Sequence, residues 1–92
     1  MVEYQKTGNF PFYFETGLEL VNHQFIIVPN TVCTTGFANI LVSIGEYYSK
    51  IQGVEIPLFE LRPIPLSGRY KRFKLEAYDS DCSDFTVTYV GA

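Results

Sequence analysis

Apolar side chains recur at alternate positions in two segments near the C-terminus, and this alternation constrains the fold more than any other feature of the sequence. The segments are 70–79 and 85–90, and their alternating residues are Phe73, Leu75, Ala77, Phe85, Val87 and Tyr89. A period of two is typical of a β-strand with one buried face. The polar stretch 80–84 between them predicts the loop of an antiparallel hairpin.

An aromatic segment near the N-terminus carries a further strand signal. Phe10, Phe12 and Phe14 fall on one face of an extended chain. Pro11 has no N–H for the ladder of a central strand, so we predict an edge strand over 10–15.

Turn residues divide the rest of the chain into short segments. The dipeptides Thr16-Gly17 and Asn22-His23 predict two turns that separate neighbouring strands. Prolines exclude a helix from 54–66 and favour an edge strand or a rim loop there. These prolines are Pro57, Pro63 and Pro65.

The segment between Gly36 and Gly53 admits two interpretations. Its apolar residues fit the spacing of one helix at 36–52, which would make the fold α+β. The same segment also alternates as a strand does. Gly45 and a high content of Val, Ile and Tyr lower helix stability, so we predict strand.

Short strands at intervals of about ten residues, with turn residues between them, are typical of all-β domains. We therefore predict an all-β fold, a small antiparallel β-sandwich or barrel of about seven short strands. The length of 92 residues suits one core, so we expect a single β domain over 1–92.

Charge and hydropathy narrow the classes of partner. The net charge is −3, which argues against a nucleic-acid partner because binding the phosphate backbone requires positive charge. No segment approaches the ~20 apolar residues of a membrane span, so we expect no membrane partner. The N-terminus lacks the apolar stretch of a secretory signal, which predicts synthesis in the cytoplasm without export by that route.

No catalytic motif is recognisable in the sequence. The only histidine is His23, which we place in a turn, where a histidine rarely acts as a general base. We therefore predict no enzyme activity, no catalytic residue and no cofactor. Asp79, Asp81 and Asp84 crowd one loop as calcium ligands do, but the later glycine and glutamate of a calcium loop are missing. They are candidates at which we do not expect a metal.

The two cysteines, Cys33 and Cys82, lie far apart in polar stretches, and neither belongs to a CxxC pair. Cytosolic chains rarely keep disulfides, so we predict two reduced thiols, with one disulfide as the alternative.

The segment 69–74 contains four cations interleaved with two aromatic residues, a mixture that single-stranded nucleic-acid proteins use. Strand alternation would point Arg69 and Lys71 to one face of the sheet. Arg72 and Lys74 would then point to the other. We therefore favour a charged strand that prevents edge-to-edge aggregation or contacts an acidic partner.

The hydrophobic content of 47% exceeds what so small a core can bury, which predicts self-association. A trimer would suit a site of threefold symmetry. The predicted interface residues on edge strands and rims are Phe10, Phe12, Phe14, Tyr47, Tyr48, Pro57, Pro63 and Pro65. An alternative use for exposed tyrosines is to stack on sugars in a ligand- or carbohydrate-binding module.

The last quarter of the chain resembles small β proteins of bacteriophage particles in the segments SGRYKRFKLEAYD, 67–79, and FTVTYVG, 85–91. The resemblance implies a non-enzymatic structural protein, such as a capsid decoration (cement) protein or a tail or connector protein. Its partners would be copies of itself and a capsid or tail protein. Its location would be the virion, or otherwise the cytoplasm.

Overall fold

Six antiparallel strands form one sheet in a computed structural model that describes residues 1–44, 46–58 and 61–92. The strands are β1 (Val2–Gly8), β2 (Phe12–Pro29), β3 (Phe37–Ile44), β4 (Tyr47–Pro57), β5 (Ile64–Tyr78) and β6 (Phe85–Gly91), in the spatial order β1-β6-β2-β5-β3-β4. The all-β prediction is confirmed, with six strands rather than about seven. The alternative of a helix at 36–52 is wrong, because β3 and β4 occupy the described part of that segment.

β2 continues through both dipeptides that the sequence marks as turns. Its 18 residues include Thr16-Gly17 and Asn22-His23. The pairing register with β5 shifts between Glu15 and Leu20 and again between Leu20 and Asn22. The turn residues therefore mark irregularities within one long strand, where a bulge bends the chain without ending it.

This bending folds the sheet over on itself. The rings of Phe14 and Phe25 lie 6.1 Å apart although both belong to β2. A straight strand would separate these two positions by roughly 36 Å at about 3.3 Å per residue. The C-terminal part of β2 pairs with β6, whereas the described pairing of 12–15 is with β5 alone, as expected for an edge segment. The predicted sandwich or barrel is thus one sheet that encloses its own core.

The core includes the alternating residues that the sequence predicts near the C-terminus, except that Ala77 is half-buried. Both strands of the C-terminal segment bury one face and leave the other partly exposed, because successive side chains point to opposite sides of a strand. The largest fully buried side chains are Tyr89, Phe25, Phe73, Phe85, Ile40, Leu58, Leu75 and Val87.

A disulfide joins two loops at one end of the sheet. Pairing of β3 with β5 and of β2 with β6 brings loop 30–36 beside loop 79–84. Cys33 and Cys82 are bonded there, with their Cα atoms 5.6 Å apart. The prediction of reduced thiols is therefore wrong, because strand register brings together two residues separated by 49 positions in sequence.

In the described ranges, no helix has the length and apolar character needed to cross a membrane.

Candidate functional site

Phe12 and Phe14 lie in the core of the chain and not on an interface. Their side chains are only 4% and 2% exposed. Pairing of this part of β2 with β5 turns both rings inward, so a neighbouring subunit cannot reach them. Phe10 is half-buried and packs edge-on against Phe12 and Phe85, with ring centroids 5.0 and 4.9 Å away. The interface prediction is wrong for Phe12 and Phe14.

Two exposed tyrosines, Tyr13 and Tyr48, form what we call the aromatic surface. Tyr13 on β2 is 46% exposed, and Tyr47 and Tyr48 on β4 are 78% and 36% exposed. The rings of Tyr13 and Tyr48 meet edge to face at 6.1 Å. The Lys74 ammonium lies 5.7 Å from the centre of the Tyr13 ring, within the range of a cation–π contact. Successive side chains of a strand point to opposite faces, so the position of Tyr13 between two buried phenylalanines would have predicted that it is exposed.

The remaining predicted interface residues are prolines at or near the end of β4 and the start of β5. Pro63 and Pro65 are exposed, and Pro57 is half-buried at the end of β4. These residues remain accessible to a partner.

A pocket of about 300 Å³ opens where β2 departs from β5, and we call it the basic pocket. Glu15 pairs with Arg72 and Leu20 pairs with Tyr70, so the four residues 16–19 of β2 face a single residue of β5. Such an unequal count spreads the two strands. The lining residues are Glu19, Ser43, Arg69, Tyr70, Lys71 and Arg72.

The cations of this segment are distributed differently from the sequence prediction. Arg69, Lys71 and Arg72 line one pocket, whereas strict alternation would place Arg72 on the opposite face from the other two. The register shift at this point of β5 breaks the alternation. No sequence pattern predicts that Glu19 or Ser43 lies near these cations, because both residues are far from the cations in the sequence.

Within the part of the chain that the structure describes, only one of the three cations that line the pocket, Arg72, forms an ion pair. The Arg72 Nε atom lies 3.3 Å from a carboxylate oxygen of Glu15, and both side chains are largely exposed. Among the described residues, neither Arg69 nor Lys71 forms an ion pair. Outside the pocket, a hydrogen bond to Glu76 raises the pKa of Lys74 above its usual value.

His23 is a buried residue of β2 and not a turn residue. Its Nε2 atom lies 2.8 Å from the Gly68 carbonyl oxygen, which can only accept a hydrogen bond, so Nε2 carries the proton. Nδ1 lies 2.7 Å from the Tyr89 hydroxyl, within hydrogen-bond distance. Burial, with a smaller contribution from Tyr4, raises the pKa of Tyr89 to about 12. Both ring nitrogens are thus engaged within the core.

The three aspartates proposed as metal candidates do not converge. Within the described residues, the metal-ligating groups that lie within 4.8 Å of one another are those of Cys33, Asp81 and Cys82, without Asp79 or Asp84. The two sulfurs belong to the disulfide, whereas a metal binds the thiolate form of cysteine.

Asp81 instead holds the two disulfide-linked loops together. Its carboxylate accepts hydrogen bonds from the backbone N–H groups of Thr34 and Thr35 at 3.1 and 3.0 Å. The Thr34 hydroxyl donates a further bond. These bonds, led by that from the Thr34 side chain, lower the pKa of Asp81 to about 2.

Comparison with known proteins finds no matching family model, and neither a curated protein nor a solved structure has significant similarity to the chain.

Proposed function

We propose that the protein is a non-enzymatic assembly protein that acts through contacts between protein chains. The observation that carries the proposal is the aromatic surface, in which the exposed rings of Tyr13 and Tyr48 meet and Tyr48 belongs to a terminal strand of the sheet. Tyrosine is enriched at protein interfaces because its ring buries a large area while its hydroxyl keeps a hydrogen-bond partner.

The edge formed by β4 is the part of the sheet that a second chain can extend. In the described structure β4 pairs with β3 alone, so its outer backbone groups are available for strand addition. The opposite edge, β1, lies against β2, where Lys6 donates a hydrogen bond to the Tyr13 carbonyl and covers the Phe14 ring. The β4 edge is therefore the preferred site of self-association.

The resemblance to phage particle proteins extends this proposal to a biological setting. In that setting the chain is a component of a viral particle, such as a capsid decoration protein or a tail or connector protein, and is located in the virion. A homo-oligomer on a capsid or tail protein fits the aromatic surface, and a trimer suits a threefold site.

Analytical ultracentrifugation at tens of micromolar, a range that reveals weak complexes, tests the proposal. The wild-type chain should form a defined oligomer. Tyr48→Ser should weaken association without unfolding the chain. The matched control is Val32→Ser, which removes another exposed apolar side chain from loop 30–36. A monodisperse wild-type monomer, or equal effects of the two variants, would contradict self-association at this surface.

The second candidate is a carbohydrate-binding module. It is favoured by the exposure of Tyr47 and by the separate pair of Tyr13 and Tyr48, because aromatic rings can stack on sugar faces. Binding to a glycan array by a monomeric wild-type chain, lost in Tyr47→Ser, would favour this module over assembly.

A further inference from the structure

We propose that the basic pocket binds a compact phosphate group, either free phosphate or the phosphate of a small molecule. This inference is independent of the assembly proposal, because it concerns the gap between β2 and β5 and not the aromatic surface. Three of the seven Lys and Arg residues of the chain line this one pocket: Arg69, Lys71 and Arg72.

The charge at the pocket attracts an anion. The three cations, the carboxylate of Glu19 and the Glu15 carboxylate that pairs with Arg72 give a net charge of +1 (3 − 2) in a chain whose net charge is −3. A phosphate monoester carries roughly −1.5 to −2 at neutral pH. The rest of the chain therefore carries −4 (−3 − 1), so the attraction is confined to the pocket.

The same arithmetic favours a small ligand over a nucleic acid. A polynucleotide that enters the pocket would continue across the acidic remainder of the surface, where its phosphates are repelled. The ring of Tyr70 faces inward, with its centre 6.3 Å from that of Phe73 and 6.0 Å from that of His23. This half-buried ring packs against the core on one side, so less of it is exposed for stacking on a base than in a fully exposed tyrosine.

The backbone around the pocket and one of its donors, Arg72, are held in place before a ligand arrives. The Thr16 hydroxyl bonds to the Leu18 carbonyl at 2.6 Å and lies 3.4 Å from the Lys71 carbonyl, which fixes the inserted residues against β5. Glu15 contacts Arg72 through Nε. The terminal nitrogens of the guanidinium carry four further N–H donors, in a planar arrangement that matches phosphate oxygens.

Nuclear magnetic resonance titration of the full chain tests this inference, with inorganic phosphate and ribose 5-phosphate as probes at matched ionic strength. Amide shifts should concentrate at 69–72 and near Glu19. Tighter binding of inorganic phosphate would identify free phosphate as the ligand, and tighter binding of ribose 5-phosphate would identify a phosphorylated small molecule. A single-stranded 12-nucleotide DNA is the third probe.

Two variants with opposite expected effects on phosphate binding extend the test. Arg69→Ala should weaken phosphate binding by about tenfold, because it removes a charge-assisted hydrogen bond. Glu19→Gln should strengthen binding, because it removes the anion of the lining. Lys50→Ala is the matched control, since it removes one exposed cation from β4, outside the pocket, and should leave binding unchanged.

Three results would overturn the inference. The first is the absence of localised shifts with both phosphate probes at millimolar concentration. The second is an equal loss of binding in Arg69→Ala and Lys50→Ala. The third is tighter binding of the DNA than of either small phosphate, which would assign the pocket to a nucleic acid.

Discussion

Removal of the disulfide should cost this domain a large part of its stability. The double substitution Cys33→Ser and Cys82→Ser opens a loop whose ends are 49 residues apart. In the chain-entropy model, closing a loop of that length stabilises the folded state by about 4 kcal/mol, because it restricts the unfolded chain. Domains of this size have total stabilities of about 5 to 15 kcal/mol, so the loss is severe. The melting temperature should fall by at least about 15 °C.

Urea denaturation followed by circular dichroism measures this loss. The oxidised wild type, the reduced wild type and the double variant are compared, and the last two should unfold at a similar, lower urea concentration. Reductant added to the double variant is the control and should change nothing. Alkylation of both cysteines in the denatured, unreduced wild type would show free thiols and refute the reasoning. The loop-closure relation sets the expected loss of stability at about 4 kcal/mol. A double variant whose free energy of unfolding lies within about 1 kcal/mol of that of the oxidised protein would refute this magnitude.

Further perturbations follow from particular contacts. The Asp81 carboxyl should titrate near pH 2 by nuclear magnetic resonance, because its folded pKa lies below the ordinary value of 3.8. Its contribution to stability is therefore fully present above pH 3.8 and is lost as the pH falls through about 2. Asp81→Asn should remove this acid dependence, and an unchanged profile would contradict the assignment. His23→Ala should destabilise the fold by about 2 to 4 kcal/mol, because it leaves a cavity and an unpaired Tyr89 hydroxyl. Leaving a buried polar group unpaired ordinarily costs about 1 to 3 kcal/mol, so a loss below about 1 kcal/mol in urea denaturation would contradict the buried hydrogen bonds. Phe12→Ser should destabilise folding by several kcal/mol, typically about 3 to 5 for loss of a core phenylalanine. Tyr48→Ser should leave the melting temperature nearly unchanged, and equal melting temperatures in these two variants would contradict their placement. Calcium should leave the wild-type melting temperature unchanged, since a ligand of the folded state would raise it.

The two strands near the C-terminus and their buried residues could be predicted from local sequence. Phe73, Leu75, Phe85, Val87 and Tyr89 alternate with polar residues, and a period of two has one physical solution, a strand with one face buried. The prolines and Gly45 argued against helix for the same local reason, since they disfavour helical backbone in any tertiary context.

Long-range register could not be predicted in this way. The chain marks Thr16-Gly17 as a break, but only pairing with β5 decides whether such a residue pair ends a strand or bends it. That pairing gathers Arg69 and Arg72 at one pocket, and it also turns Phe12 into the core.

The environments of His23 and the two cysteines were likewise decided by tertiary structure alone. His23 lies 45 positions from its carbonyl acceptor, and Cys33 lies 49 positions from Cys82. A hydrogen bond or a disulfide depends on distances of a few ångströms between atoms. Local propensity acts over a few neighbouring residues, so such distances exist only once the sheet has folded over its core.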